Sequence, residues 1–390
     1  MKFPASILLV LFCFVMACRA DDSQHLSAEG MSALRQNEYN QAIKYFNQAI
    51  EVNSNYVGAY YYRGLSYMAA TQYNNSIADF GRAISLNTNN SDAYYFRAMC
   101  YMHQKQYDKS IADLNSVLLI TTNIAPLLLR AYLYSCVTNY NASIEDYTKS
   151  IQLNRLSTDG YIGRAHIFLL QKSYGLALMD CNAALTINPG LPSAYQEMGD
   201  IYEGEGNADL AIAYYDKALM LNPRDSSIYY LRATAYSDKE DFSNAVTDIS
   251  TYISLNPPDA PAYGLRGWCR AELGDYQGGI DDCEKAISID PTFFWAYNNL
   301  AWSFAVCPDA KFRNGPKALE NAKKACDLGG WNEPAVLDTL AAAYAENGDF
   351  KEAVKWETKA LEGLTGKNLA EGEKALHLYK KHKPYREPAN

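Results

Sequence analysis

At 390 residues the chain is too long for one compact core, so several domains or a repeat array are expected. Its 48% hydrophobic and 20% charged content is that of a globular protein, and its 32 tyrosines hint that one position is being reused. A net charge of −9 with no Lys/Arg run excludes nucleic acid and disfavours an anionic membrane surface, since both need concentrated positive charge.

Residues 1–20 differ in kind from the rest. Lys2 gives a positive start, Ile7 to Met16 is continuously apolar, and small residues lead to Asp21-Asp22. This is the pattern of a signal peptide, too short to span a bilayer. Cleavage after Ala17 or Ala20 fits the pattern. Val15-Met16-Ala17-Cys18 also resembles a bacterial lipobox, with Met16 an unusual member, and that resemblance implies a lipid on Cys18. The plain alternative is removal of the leader and a soluble exported protein. No later segment is apolar enough to cross a membrane.

From residue 24 to 292 the sequence repeats eight times. A small residue opens the second helix of each repeat at Ala42, Ser76, Ser110, Ser143, Ala177, Ala211, Ala245 and Gly279, in steps of 34 with a single step of 33. Twelve residues earlier stand Gly30, Gly64, Ala98, Ala131, Ala165, Gly199, Ala233 and Gly267. Small side chains at both places let two helices approach closely. Several repeats close with an apolar-Asn-Pro stop, as in Leu221-Asn222-Pro223, where proline ends the helix and forces a turn.

A second regularity concerns charge. Arg63, Arg97, Arg130, Arg164, Arg232 and Arg266 each precede an aspartate by 16 residues: Asp79, Asp113, Asp146, Asp180, Asp248 and Asp282. Where the arginine becomes Met198 the aspartate becomes Tyr214, and in the first repeat the pair is Glu29 and Tyr45. Joint loss predicts a paired interaction inside each hairpin, for which the arginine fork suits a carboxylate. These residues are read as structural, not as an active site.

A 34-residue period with small residues at fixed offsets and a terminal proline resembles the tetratricopeptide repeat family over residues 25–365. The resemblance implies an all-α, right-handed superhelical solenoid of about ten antiparallel hairpins with a concave ligand groove. The concave face of such a family uses fixed places on the first helix of each hairpin. By that analogy the peptide-contacting residues are Tyr61, Leu65, Met68, Tyr95, Met99, Met102, Tyr132, His166, Tyr230 and Trp268. The groove would be aromatic and Met-lined at its N-terminal half and more acidic later, with Asp200, Glu203, Asp238 and Glu272. Tyrosine and methionine suit adaptable binding of extended or helical peptides. Aromatic stripes on helices are also core stripes, and Tyr60, Tyr94, Tyr161, Tyr195, Tyr229 and Tyr263 are expected to pack between repeats.

Residues 293–365 are expected to form two divergent repeats with a lengthened loop at Cys307-Pro308-Asp309, and residues 366–390 a capping helix and tail. The stretch from Asn298 to Arg386 resembles a terminal module of bacterial repeat proteins, through Asn299-Leu300-Ala301-Trp302, Cys307-Pro308-Asp309 and Lys383-Pro384-Tyr385-Arg386.

No chemistry-bearing motif appears. The five histidines are scattered, and neither a phosphate-binding glycine loop nor a nucleophile elbow is present. Seven cysteines lie beyond residue 20 without metal spacing. Cys269 and Cys283 share one hairpin, and either a disulfide or two buried thiols fits that spacing. The expectation is therefore no enzyme, no cofactor, no metal and no small-molecule substrate. The function expected is a scaffold of the bacterial cell envelope that binds a protein or peptide partner. The alternative is a self-assembling structural component, hence a homo-oligomer.

Overall fold

The computed structural model describes residues 22–387, so the expected signal peptide over residues 1–20 and the lipidation at Cys18 lie outside the described residues. The described residues carry twenty-one α-helices and no strand. They divide after Pro189 into two compact units.

The N-terminal unit holds five hairpins: α1 (22–35) with α2 (Tyr39–Val52), α3 (Val57–Ala69) with α4 (Tyr73–Leu86), α5 (Ser91–His103) with α6 (Tyr107–Ile120), α7 (Ile124–Cys136) with α8 (Tyr140–Leu153), and α9 (Thr158–Leu170) with α10 (Tyr174–Ile187). The C-terminal unit holds five more: α11 (Pro192–Gly204) with α12 (Ala208–Leu221), α13 (Ser226–Asp238) with α14 (Phe242–Leu255), α15 (Ala260–Glu272) with α16 (Tyr276–Ile289), α17 (Phe294–Val306) with α18 (Gly315–Gly329), and α19 (Pro334–Glu346) with α20 (Phe350–Ala360). A final helix, α21 (Gly366–Tyr379), follows, and a short 3₁₀ turn at Ala310–Phe312 interrupts the loop between α17 and α18.

Each hairpin is closed by the small residues that the sequence repeats. The buried hydroxyls of Ser76, Ser110 and Ser143 donate to the carbonyls of Gly64, Ala98 and Ala131, each at 2.7 Å. A β-carbon at Gly199 would stand 2.4 Å from the ring of Tyr215, so only glycine admits that ring. Large apolar side chains of the second helices then fill the space between neighbouring hairpins. Phe46, Phe80 and Leu114 in the first unit, and Tyr215 and Ile249 in the second, are wholly buried. Helix formation in short segments depends on this packing, because a helix of this length is marginal by itself.

All six arginine–aspartate pairs form, and all are bidentate. Nε and Nη2 of Arg130, for example, both donate to Asp146 at 2.7 Å. Nη1 reaches backward to the preceding hairpin in five of the six: Arg63 to Asn47, Arg130 to Asn115, Arg164 to Thr148, Arg232 to Asp216 and Arg266 to Ser250. The sixth, Arg97, faces Gly81, which has no side chain to accept. Each arginine thus ties its own hairpin shut and, where the partner exists, staples that hairpin to the one before. Where the pair is absent, Met198 is buried and Tyr214 stacks between Tyr195 and Tyr202. Removal of both charges is compensated by apolar and ring contact.

Among the described residues the seven cysteines form no disulfide, and six of them are buried. Burial pushes the thiols of Cys269 and Cys283 up to about 12, so they act as small apolar groups.

Candidate functional site

In the N-terminal unit the sequence-predicted contact residues all lie on the first helices of their hairpins, with differing exposure. Tyr132 is the most open, at 51% exposure, and His166 is exposed as well. Leu65, Met68, Tyr95, Met99 and Met102 are half-buried. Tyr61 is held most firmly. Its ring lies 5.1 Å from Tyr62, 5.9 Å from Phe80 and 6.1 Å from Phe96, and burial pushes its hydroxyl up to about 12. Leu65 and Met68 join Tyr61 around the cluster built on Phe80, while Tyr95 and Met102 pack on the cluster of Leu114 and Leu133. These side chains therefore present one edge outward while their other edge forms the seam between hairpins.

In the C-terminal unit Tyr230 packs on Tyr252, and Trp268 borders a cavity of about 940 Å³. The cavity is framed by the ends of α13 and α15, by α17 and α19, by α21, and by the tail after α21. Its aromatic wall comprises Phe242, Trp268, Tyr276, Trp302 and Tyr385. Six carboxylates line it (Asp238, Glu240, Glu272, Asp338, Glu371 and Glu387) against a single lysine, Lys367. The indole N–H of Trp268 donates to Glu272 at 3.1 Å, that of Trp302 donates to Glu387, and Lys367 pairs with Glu240.

The tail forms one wall of this cavity through Tyr385 and Glu387. The backbone N–H of Glu387 donates to the carbonyl of Val306 at 3.1 Å, and Arg386 donates to the carbonyl of Ala305 at 3.2 Å. The Arg386 guanidinium also pairs with Glu346, which receives Arg313 at 3.5 Å. Burial raises the carboxyl of Glu387 to about 7 despite the Trp302 N–H, with Glu272 and Glu371 adding to the rise. Burial also raises Glu272, and partial desolvation raises Asp238, which stays exposed.

Behind this wall Glu357 on α20 is fully buried, and neither of its oxygens has an N–H or O–H donor other than the carboxyl of Asp338 facing it. Burial and the neighbouring Asp338 charge push Glu357 well above the usual carboxylate range, and burial raises Asp338 as well. Among the described residues no group of three or more His, Cys, Asp or Glu is placed to hold a metal ion.

The sequence pointed to Trp268, Glu272 and Asp238 as groove residues but not to the cavity that joins them to Trp302. The available signal was the Lys383-Pro384-Tyr385-Arg386 stretch, whose role depends on folding back over α17.

Models of tetratricopeptide repeats match residues 33–70, 63–123, 192–225 and 230–292. No curated protein sequence matches the chain. Among solved structures, a tetratricopeptide repeat protein from Parabacteroides merdae is 19% identical, covering 60% of this chain and 93% of its own, with a TM-score of 0.52. PilF of Pseudomonas aeruginosa is 15% identical, covering 53% and 94%, with a TM-score of 0.46. YrrB, described as a repeat protein with an unusual peptide-binding site, is 18% identical, covering 50% and 97%, with a TM-score of 0.41. The likeness to the Parabacteroides merdae protein is one of fold.

Proposed function

Because this chain belongs to the tetratricopeptide repeat family, whose repeats serve protein–protein interaction, we propose that it is a non-enzymatic scaffold that holds protein or peptide partners along the first helices of its hairpins. The observation that carries the reading is the outward edge of those helices in the N-terminal unit, where Tyr132 and His166 are exposed beside half-buried Tyr95, Met99 and Met102. Such side chains give large contact area with polar capacity at low ordering cost. The leader-like residues 1–20 support export to a bacterial envelope, soluble or tethered through a lipid on Cys18.

Affinity capture from envelope extract, with the chain as bait, tests this reading. A dominant protein partner whose yield drops several-fold with Tyr95→Ala and Tyr132→Ala together supports it. Capture unchanged by that pair, in a variant whose melting curve is intact, removes the groove assignment.

A second reading, self-assembly, is favoured by apolar side chains on the second helices, where Leu119 is 89% and Met220 82% exposed. Light scattering separates the two: a mass that grows with concentration supports assembly.

A further inference from the structure

The cavity of the C-terminal unit is rich in acceptors, while its charged and indole donors are engaged. Its lysine and both of its indole N–H groups already serve carboxylates. Asn298 lines the cavity from α17 at 7% exposure, and its carboxamide oxygen has no hydrogen-bond partner. A buried acceptor left unsatisfied costs free energy that a ligand donor would recover. Trp268, Trp302 and Tyr276 line the same cavity as the carboxylates, and aromatic rings attract cations.

We propose that this cavity binds an organic cation: an alkylammonium or guanidinium group carried on an apolar stem. Ammonium and guanidinium groups carry donors and no acceptor, which complements the lining. The stem occupies the aromatic wall, and the charged head reaches the carboxylates and the oxygen of Asn298. A volume of about 940 Å³ admits a small molecule or one or two side chains, not a folded partner. An anionic ligand is disfavoured by a lining rich in carboxyl groups whose single lysine is already paired with Glu240. The cation has two sources, a free polyamine or a lysine or arginine side chain presented by a protein partner. The inference rests on the reading of the first-helix faces as ligand surface, through Trp268.

The test is titration of the full chain at low ionic strength, read by calorimetry and by the fluorescence of the cavity tryptophans. The probes are spermidine, an acetylated and amidated tri-lysine peptide, and a neutral diol of matched length. Saturable binding of spermidine or tri-lysine with a tryptophan signal, and none of the diol, is expected. Tighter binding of spermidine points to a free polyamine, and tighter binding of tri-lysine to a partner's side chain. Glu371→Gln and Asp238→Asn should each weaken the cation about tenfold, whereas Glu320→Gln on α18, outside the cavity, should not. Asp238 is exposed and keeps the test open if Glu371→Gln fails to fold. Absence of saturable binding, or equal affinity in all three variants, overturns the proposal. The groove reading stands or falls separately, on capture by the Tyr95 and Tyr132 variant.

Discussion

At the residue scale the arginine–aspartate pairs are the repeat's fastening. Asp146 is almost wholly buried and takes both bonds from Arg130, so Arg130→Met strands a carboxylate and should cost about 3–5 kcal/mol. Adding Asp146→Leu removes the stranded charge and should restore much of that loss, leaving the site uncharged as it is at Met198 and Tyr214. Urea unfolding of the two variants checks both values. Glu387 bears on pH. Its folded carboxyl titrates near 7 against an ordinary 4.5, so the folded chain holds a proton that the unfolded chain releases. Its contribution to stability is therefore present below pH 4.5 and lost as pH rises to about 7. Glu387→Gln keeps an acceptor for Trp302 but removes this titration. Thermal melts should show the variant gaining about 1–2 kcal/mol on its parent between pH 5 and pH 8.

At the element scale the tight turn inside nine of the ten hairpins holds a residue in the left-handed region, the exception being the lengthened loop between α17 and α18. Glycine occupies it at Gly206, Gly274 and Gly348, but Asn37, Thr71, Lys105, Thr138, Lys172 and Glu240 hold it elsewhere with φ between 56° and 62°. A β-branched residue is poorly suited to that conformation, so Thr138→Gly should stabilise by about 0.5–1 kcal/mol. Gly274→Val should destabilise by about 1–2 kcal/mol. Chemical denaturation measures both. The hairpins themselves were legible from the sequence, but their second helices open three residues before the repeated small residue, at the tyrosines 39, 73, 107, 140, 174 and 276 and at Phe242. What no period could disclose is the backward reach of Nη1, because its acceptor varies among Asn, Thr, Asp and Ser.

At the scale of the whole molecule, two units share one repeat but treat their first-helix faces differently. In the N-terminal unit that face carries exposed Tyr132 and His166. In the C-terminal unit α21 and the tail cover the corresponding surface, and the Lys367–Glu240 pair joins residues 127 apart in sequence. Truncation after Lys383 removes Tyr385, Arg386 and Glu387, and should open the cavity while leaving the hairpins of that unit folded. A red shift of tryptophan emission with little loss of helical circular dichroism is the expected result. A large helical loss would mean that the tail is integral to the fold of α17 and α19.

The sequence by itself determined the all-helical hairpin repeat, its period, its buried pairs and its lack of a catalytic motif. Those properties come from local periodicity and from partners at a constant separation, which recur often enough to be read. Only the tertiary structure decided which aromatic residues are outward edges and which are seams. It alone showed that Asp338 meets Glu357, and that a tail 85 residues downstream meets Trp302. Those contacts occur once each, between segments far apart in the chain, so no spacing in the sequence records them. Their burial is set by packing, not by periodicity.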